Sequence, residues 1–178
     1  VLRHERKLPA LPVFYDKWYI RFAMGELKLP TLLREINHRA DLFLDIKSAT
    51  PRAADAVLAL YHDNESMMPR TLVSSREWKL LDRLAAAGTE MRMFYSVGRR
   101  SRLEALLRRA QVPPRPAGVS IRHTLLSAEV VKRLHDAGLQ VYAWTVNNHH
   151  RAADLLSWGT DGLIFDDVEL PAALAHHR

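Results

Sequence analysis

The chain has 178 residues, 48% apolar and 26% charged, and contains no cysteine. That length fits one domain spanning 1–178. The balance excludes disordered and collagen-like classes, and the absence of thiols excludes disulfide scaffolds, cysteine-ligated zinc and cysteine nucleophiles. No apolar run approaches the roughly 18–20 residues of a membrane helix, so stable membrane insertion is not expected. The net charge is +6, from 26 Lys and Arg against 20 Asp and Glu. Much of the excess sits in Arg99, Arg100, Arg102, Arg108, Arg109 and Arg115. No aromatic residue interleaves with them, so they read as a solvated helix face and not as a nucleic-acid platform. The first residues are charged and soon interrupted by prolines, unlike a signal peptide. A cytoplasmic location is expected unless a leader precedes Val1.

Residues 5–30 hold Pro9, Pro12, Trp18 and Tyr19 and follow no clean period. They are expected to form a long loop leading into a helix over Thr31–Asn37. From there a short β-rich run and an amphipathic helix alternate. The expected strands are Asp41–Lys47, Arg70–Ser74, Met91–Ser96, Gly118–Arg122, Gln140–Thr145 and Asp161–Phe165. Their starts lie 29, 21, 27, 22 and 21 residues apart, which suits βα units with helices of about 10–12 residues.

The helices between carry start and stop signals. Pro51 opens the first. Ser74-Ser75-Arg76-Glu77 and Ser101-Arg102-Leu103-Glu104 read as capping boxes, and Ser127 as the N-cap of Ala128–Ala137. Gly88, Gly138 and Gly159 stand where helices end. Apolar residues in Leu80–Leu84 and Val130–Leu134 recur at i, i+3 and i+4, a helix face.

The strands are apolar nearly throughout, as in Leu42-Phe43-Leu44 and Val141-Tyr142-Ala143-Trp144, which suits parallel strands covered on both sides. A doubly wound sheet and a (β/α)8 TIM barrel both fit that pattern. Polar residues stand at the C-terminal end of every strand: Asp45 and Lys47, Ser74 and Ser75, Ser96, Arg122 and His123, Thr145 and Asn147, Asp166 and Asp167. An open sheet concentrates function at one switch point, whereas a barrel gathers all strand ends in one mouth. The barrel is therefore the expected fold. Such barrels take about 250 residues and eight units. Six units are counted here, so the first strand and helix and most of the second strand are expected to be missing.

The segment Gly138-Leu139-Gln140-Val141-Tyr142-Ala143-Trp144-Thr145-Val146-Asn147, followed by Trp158-Gly159-Thr160-Asp161-Gly162-Leu163-Ile164-Phe165-Asp166, resembles the C-terminal signature of the glycerophosphodiester phosphodiesterase family. That signature reads roughly G-x-x-V-x-x-W-T-V-N followed by G-V-D-G-I-I-T-D. Leu29-Pro30-Thr31-Leu32 is similar to the family's I-P-T-L element, Leu42-Phe43-Leu44-Asp45-Ile46-Lys47 to its L-x-x-E-I-K strand, and Val1-Leu2-Arg3-His4-Glu5 to its V-x-H-D segment. The resemblance implies a (β/α)8 barrel that hydrolyses glycerophosphodiesters to glycerol 3-phosphate and an alcohol, in lipid catabolism. It also implies one divalent cation, calcium or magnesium (Ca2+ or Mg2+). The family's H-R-G, E-N-T and E-x-D motifs are absent. Asp45 stands for its usual Glu ligand, Glu5 for its usual Asp, Phe165 for its Thr, and Ser74-Ser75 for its Ser-Phe pair.

Phosphodiester cleavage needs charge neutralised on the phosphoryl oxygens, an activated nucleophile and a proton for the leaving alkoxide. Asp45 and Lys47, two apart on a strand, share a face. By resemblance Asp45 is a metal ligand, while Lys47 binds phosphate and takes part in catalysis. His4 is the proton donor, since imidazole changes charge near neutral pH. Trp144 lines the glycerol side. The unpromising reading of Asp45 and Lys47 is a buried ion pair. His149-His150 and His176-His177 read as solvated, since adjacent helical residues do not share a face. Asn147 is assigned no role. The expected partner is a small-molecule glycerophosphodiester. Two alternatives remain: a non-catalytic barrel remnant that binds lipid head groups or a protein, and a phosphodiesterase of whole phospholipids that uses the apolar stretch Leu11–Met24. That stretch is expected to pack against the barrel mouth instead.

Overall fold

The computed structural model describes residues 6–7, 13–15, 20–22, 28–36, 38–47, 50 and 52–167, the first three groups by backbone alone. Three short antiparallel strands come first: β1 Arg6–Lys7, β2 Val13–Tyr15 and β3 Ile20–Phe22, paired in that order. The loop expected over residues 5–30 therefore contains a small meander. Its runs of three or fewer residues are too short to show a period, though Val-Phe-Tyr and Ile-Arg-Phe are β-favouring in composition.

The rest alternates: α1 Leu29–Ile36, β4 Leu42–Ile46, α2 Arg52–His62, β5 Thr71–Ser75, α3 Trp78–Ala86, β6 Arg92–Val97, α4 Arg100–Arg109, β7 Gly118–Arg122, α5 Ala128–Asp136, β8 Gln140–Trp144, α6 His149–Ser157 and β9 Gly162–Leu163. These six strands pair in parallel in strict chain order, β4 to β9. Such an order has no reversal point, which removes the doubly wound alternative.

One face of the sheet packs under the helices. Leu44, Val73, Tyr95, Val119 and Val141 meet Leu33, Leu81, Leu84, Leu106 and Leu134 in one buried core. The other face settles the architecture. Phe43 of β4 stacks on Tyr142 of β8 with ring centroids 5.8 Å apart, and Phe94 of β6 meets their rings edge-on at 6.1 and 4.8 Å. β4 and β8 have three strands between them. In a flat sheet they would lie about 19 Å apart at ~4.8 Å per strand. The sheet is therefore curled, and the three aromatics form an interior layer drawn from alternate strands, as barrel layers are. The fold is a curled part of a (β/α)8 barrel, with six of its parallel strands.

Glycines make room for this layer. A Cβ on Gly118 would lie 2.5 Å from the Phe94 ring and 2.7 Å from the Gln140 carbonyl. One on Gly162 would lie 2.9 Å from the Tyr142 ring.

The helix ends follow the sequence in part. Ser127 caps α5, its side chain accepting the Val130 N–H, and Asn148 caps α6 in the same way through the Arg151 N–H. Gly88, Gly138 and Gly159 follow their helices with φ of +72°, +77° and +87°. The two capping boxes do not form. Sheet pairing claims Ser74 (opposite Asp45), the box's capping residue, and Ser75 (opposite Ile46), so α3 starts only at Trp78. Ser75 Oγ instead donates to the Ile46 carbonyl at 2.8 Å and accepts the Glu77 N–H at 3.1 Å. α4 starts at Arg100, which places Ser101 inside its first turn. Arg109, read as solvated, is half-buried and pairs with Asp82 at 2.5 Å.

Replacing Gly118 with alanine is expected to cost about 1–3 kcal/mol, since the added methyl overpacks the interior. Urea unfolding measures it. A variant as stable as the parent would contradict the packing described.

Candidate active site

The site is built by strand alternation. On β4, Leu42 and Leu44 point into the helix-facing core, so Asp45, together with Lys47 two residues on, belongs to the interior face. The Lys47 ammonium pairs with the Asp45 carboxylate, and the two side chains are 60% and 42% exposed. This is not a buried ion pair: both groups stand open at the end of the strand, where a ligand can reach them.

Asp45 lies in register with Ser74 of β5. Ser74 is buried, and its hydroxyl has no hydrogen-bond partner among the described residues. Two residues beyond Ser74, on the same face, Arg76 reaches Trp144 at the end of β8, its guanidinium 5.6 Å from the indole centroid. Arg122, opposite Trp144 in register on β7, lies over the same ring at 5.6 Å. Gly98, just past β6, lies beside the indole, where a Cβ would come within ordinary contact of the ring at 3.4 Å. Strand ends that are far apart along the sheet thus converge on one tryptophan.

Near this group, His123 is half-buried, and its pKa is pushed below the ordinary 6.5, first by burial and then by the charges of Arg151 and Arg122. Arg151 donates to the His123 carbonyl at 2.6 Å and the Leu126 carbonyl at 3.0 Å. Asn147 ties the loop after β8 to β9's end, its side-chain oxygen accepting the Asp166 N–H at 3.0 Å. His149 and His150 are exposed, in line with a solvated reading. His4, His176 and His177 lie outside the described residues, as do the side chains of Leu11–Met24.

No three acidic or histidine side chains among the described residues are grouped to hold a metal ion. Calcium takes six to eight oxygen ligands and magnesium about six. Asp45 offers one carboxylate, so the described residues alone do not fit such a cation. Ser74, Arg76, Gly98 and Arg122 were not singled out as site residues from the sequence. The available signal was their position at strand ends on the interior parity of β5, β6 and β7.

The model of the glycerophosphoryl diester phosphodiesterase family matches residues 26–170. The chain belongs to this family. In Bacillus subtilis (strain 168), the candidate glycerophosphodiester phosphodiesterase YhdW is 42% identical over 48 residues, which are 27% of this chain and 20% of that protein. Among solved structures, a candidate glycerophosphoryl diester phosphodiesterase from Silicibacter pomeroyi DSS-3 superposes with a TM-score of 0.72 at 23% identity, covering 84% of this chain and 56% of that one. An Oleispira antarctica phosphodiesterase, solved with the product sn-glycerol-3-phosphate, superposes with a TM-score of 0.63 at 21% identity, covering 83% and 59%. At such identities the likeness establishes the barrel fold. The chain spans little more than half the length of these two structures.

The lowered His123 pKa carries a sign. The fold favours neutral imidazole, so its contribution is complete above the ordinary 6.5 and is lost as pH falls through the lowered value. Thermal midpoints are expected to drop between about pH 7 and pH 5, less steeply in His123→Gln. Identical profiles for the two proteins would contradict this.

Proposed function

We propose that this protein hydrolyses glycerophosphodiesters to glycerol 3-phosphate and an alcohol. One observation supports the reading most: a family match across residues 26–170 falls on a curled sheet whose mouth holds an exposed Asp45–Lys47 pair and Trp144 on the interior face. In this reading the Lys47 ammonium takes a phosphoryl oxygen and offsets charge that grows as water attacks phosphorus. The bond from phosphorus to the alcohol oxygen breaks, His4 supplies the leaving oxygen with a proton, and the attacking water gives up its own proton to solvent, from which His4 is reprotonated. Asp45 holds Lys47 in place, and Trp144 presents an apolar wall to the glycerol carbons. Asp45 would also be one ligand of a calcium or magnesium ion, the remaining oxygens coming from outside the described residues. That ion, when bound, would supply positive charge at the phosphoryl group.

The test is hydrolysis of glycerophosphocholine followed by glycerol 3-phosphate release. Lys47→Met is expected to lower kcat/KM by about 10²–10³-fold, the usual effect of removing one charge-stabilising donor. Trp144→Ala should act mainly on KM, and chelation of divalent ions should stop turnover until calcium or magnesium is restored. A folded protein that releases no glycerol 3-phosphate under any of these conditions would instead favour a head-group-binding barrel.

A further inference from the structure

Ser74 is 1% exposed, and its hydroxyl has no hydrogen-bond partner among the described residues. Such a group loses its bonds to water and gains no replacement, a cost that folded proteins rarely keep without a use. Ser75, next to it, shows the ordinary solution: its hydroxyl donates to the Ile46 carbonyl and accepts the Glu77 N–H. Two other buried side-chain atoms lack partners among the described residues, Thr89 Oγ1 and Arg92 Nε. They stand before β6 and at its first residue, at the far end of the strands from the mouth. Ser74 is the next-to-last residue of β5, beside the site.

Strand alternation names what can reach this hydroxyl. Val73 belongs to the helix-facing core, so Leu72, Ser74 and Arg76 take the interior face. In register, Ser74 stands between Asp45 of β4 and Phe94 of β6, each one strand spacing of about 4.8 Å away. Leu72 and the Phe94 ring carry no polar atom, and the Arg76 guanidinium only donates. Among these four neighbours Asp45 alone has a side chain that accepts. Its carboxylate is turned instead to the Lys47 ammonium.

That pairing opposes binding. Lys47 is committed to Asp45, so sharing its charge with a phosphoryl oxygen weakens its hold on the carboxylate and leaves that charge less well compensated. A hydroxyl one strand away is a second donor in reserve. We infer that Ser74 is a positioning residue: its hydroxyl donates to the Asp45 carboxylate as Lys47 turns to the phosphoryl group, and so makes the lysine available. The inference rests on the phosphoryl role proposed for Lys47. The buried hydroxyl itself does not touch the ligand.

Thermal unfolding and calorimetric binding of sn-glycerol 3-phosphate, measured on the same proteins, test it. Ser74→Ala removes an unpaired buried hydroxyl, so its thermal midpoint is expected to equal or exceed the parent's. Ser75→Ala, which loses the bonds to Ile46 and Glu77, should fall by several degrees. Ser74→Ala is also expected to bind glycerol 3-phosphate about tenfold more weakly, the worth of one hydrogen bond to a charged group. In an Asp45→Asn background the same substitution should change affinity by less than about twofold, since an effect that passes through the Asp45 charge disappears with it. A merely structural serine would not show that coupling. The inference alone is overturned if the parent binds and Ser74→Ala binds equally well, if the full loss persists in Asp45→Asn, or if Ser74→Ala is clearly less stable than the parent. Weakened, Asp45-dependent binding without release of glycerol 3-phosphate from glycerophosphocholine supports the inference while hydrolysis fails. A parent that binds no glycerol 3-phosphate overturns both.

Discussion

Phe43, Phe94 and Tyr142 meet on the interior face of the sheet at centroid separations of 4.8 to 6.1 Å. Each such aromatic pair contributes about 0.5–1.5 kcal/mol beyond the burial of its area, but the geometric consequence is the larger one. Rings on β4 and β8 touch only if the strands between them bend around a common axis. Once they do, all the strands open their C-terminal ends onto one mouth, and residues as distant in the chain as Arg76 become neighbours of Trp144. Gly118 and Gly162 belong to the same constraint: they give up side chains so that Phe94 and Tyr142 can lie across them.

The mouth itself is arranged by charge. Lys47 is held by Asp45 and remains open to solvent. Arg76, just past β5, and Arg122 of β7 each lie 5.6 Å from the Trp144 ring centroid, and the His123 pKa is lowered by burial and by the charges of Arg151 and Arg122. The arginines near Trp144 add positive charge at the strand ends, in keeping with the phosphodiester proposed as substrate.

Much of this was legible in the residues. The six parallel strands were readable because each apolar run alternates with an amphipathic helix, and the polar residues at their ends favoured a barrel over an open sheet. The family resemblance picks out Asp45 and Lys47, and period-2 alternation puts them on one face. What the sequence could not carry was the competition between local and tertiary preferences. Ser74 has the chemistry of a helix start, but pairing with Asp45 keeps it in the sheet. Arg109 looks like a solvated residue of a helical charge run, but Asp82 and the Tyr95 ring draw it inward. Arg76 and Arg122 lie 46 positions apart along the chain, and only Arg122 stands out there, as one of the polar strand ends. Only curvature sets them on the same indole.

The most direct measurement is an NMR titration with sn-glycerol 3-phosphate that follows the indole N–H resonances. A saturable shift at Trp144, with affinity reduced at least about tenfold in Lys47→Met, is the result expected if the curled sheet places both residues around one phosphoryl site. Shifts confined to the other tryptophans, or a Trp144 response that Lys47→Met leaves unchanged, would contradict it.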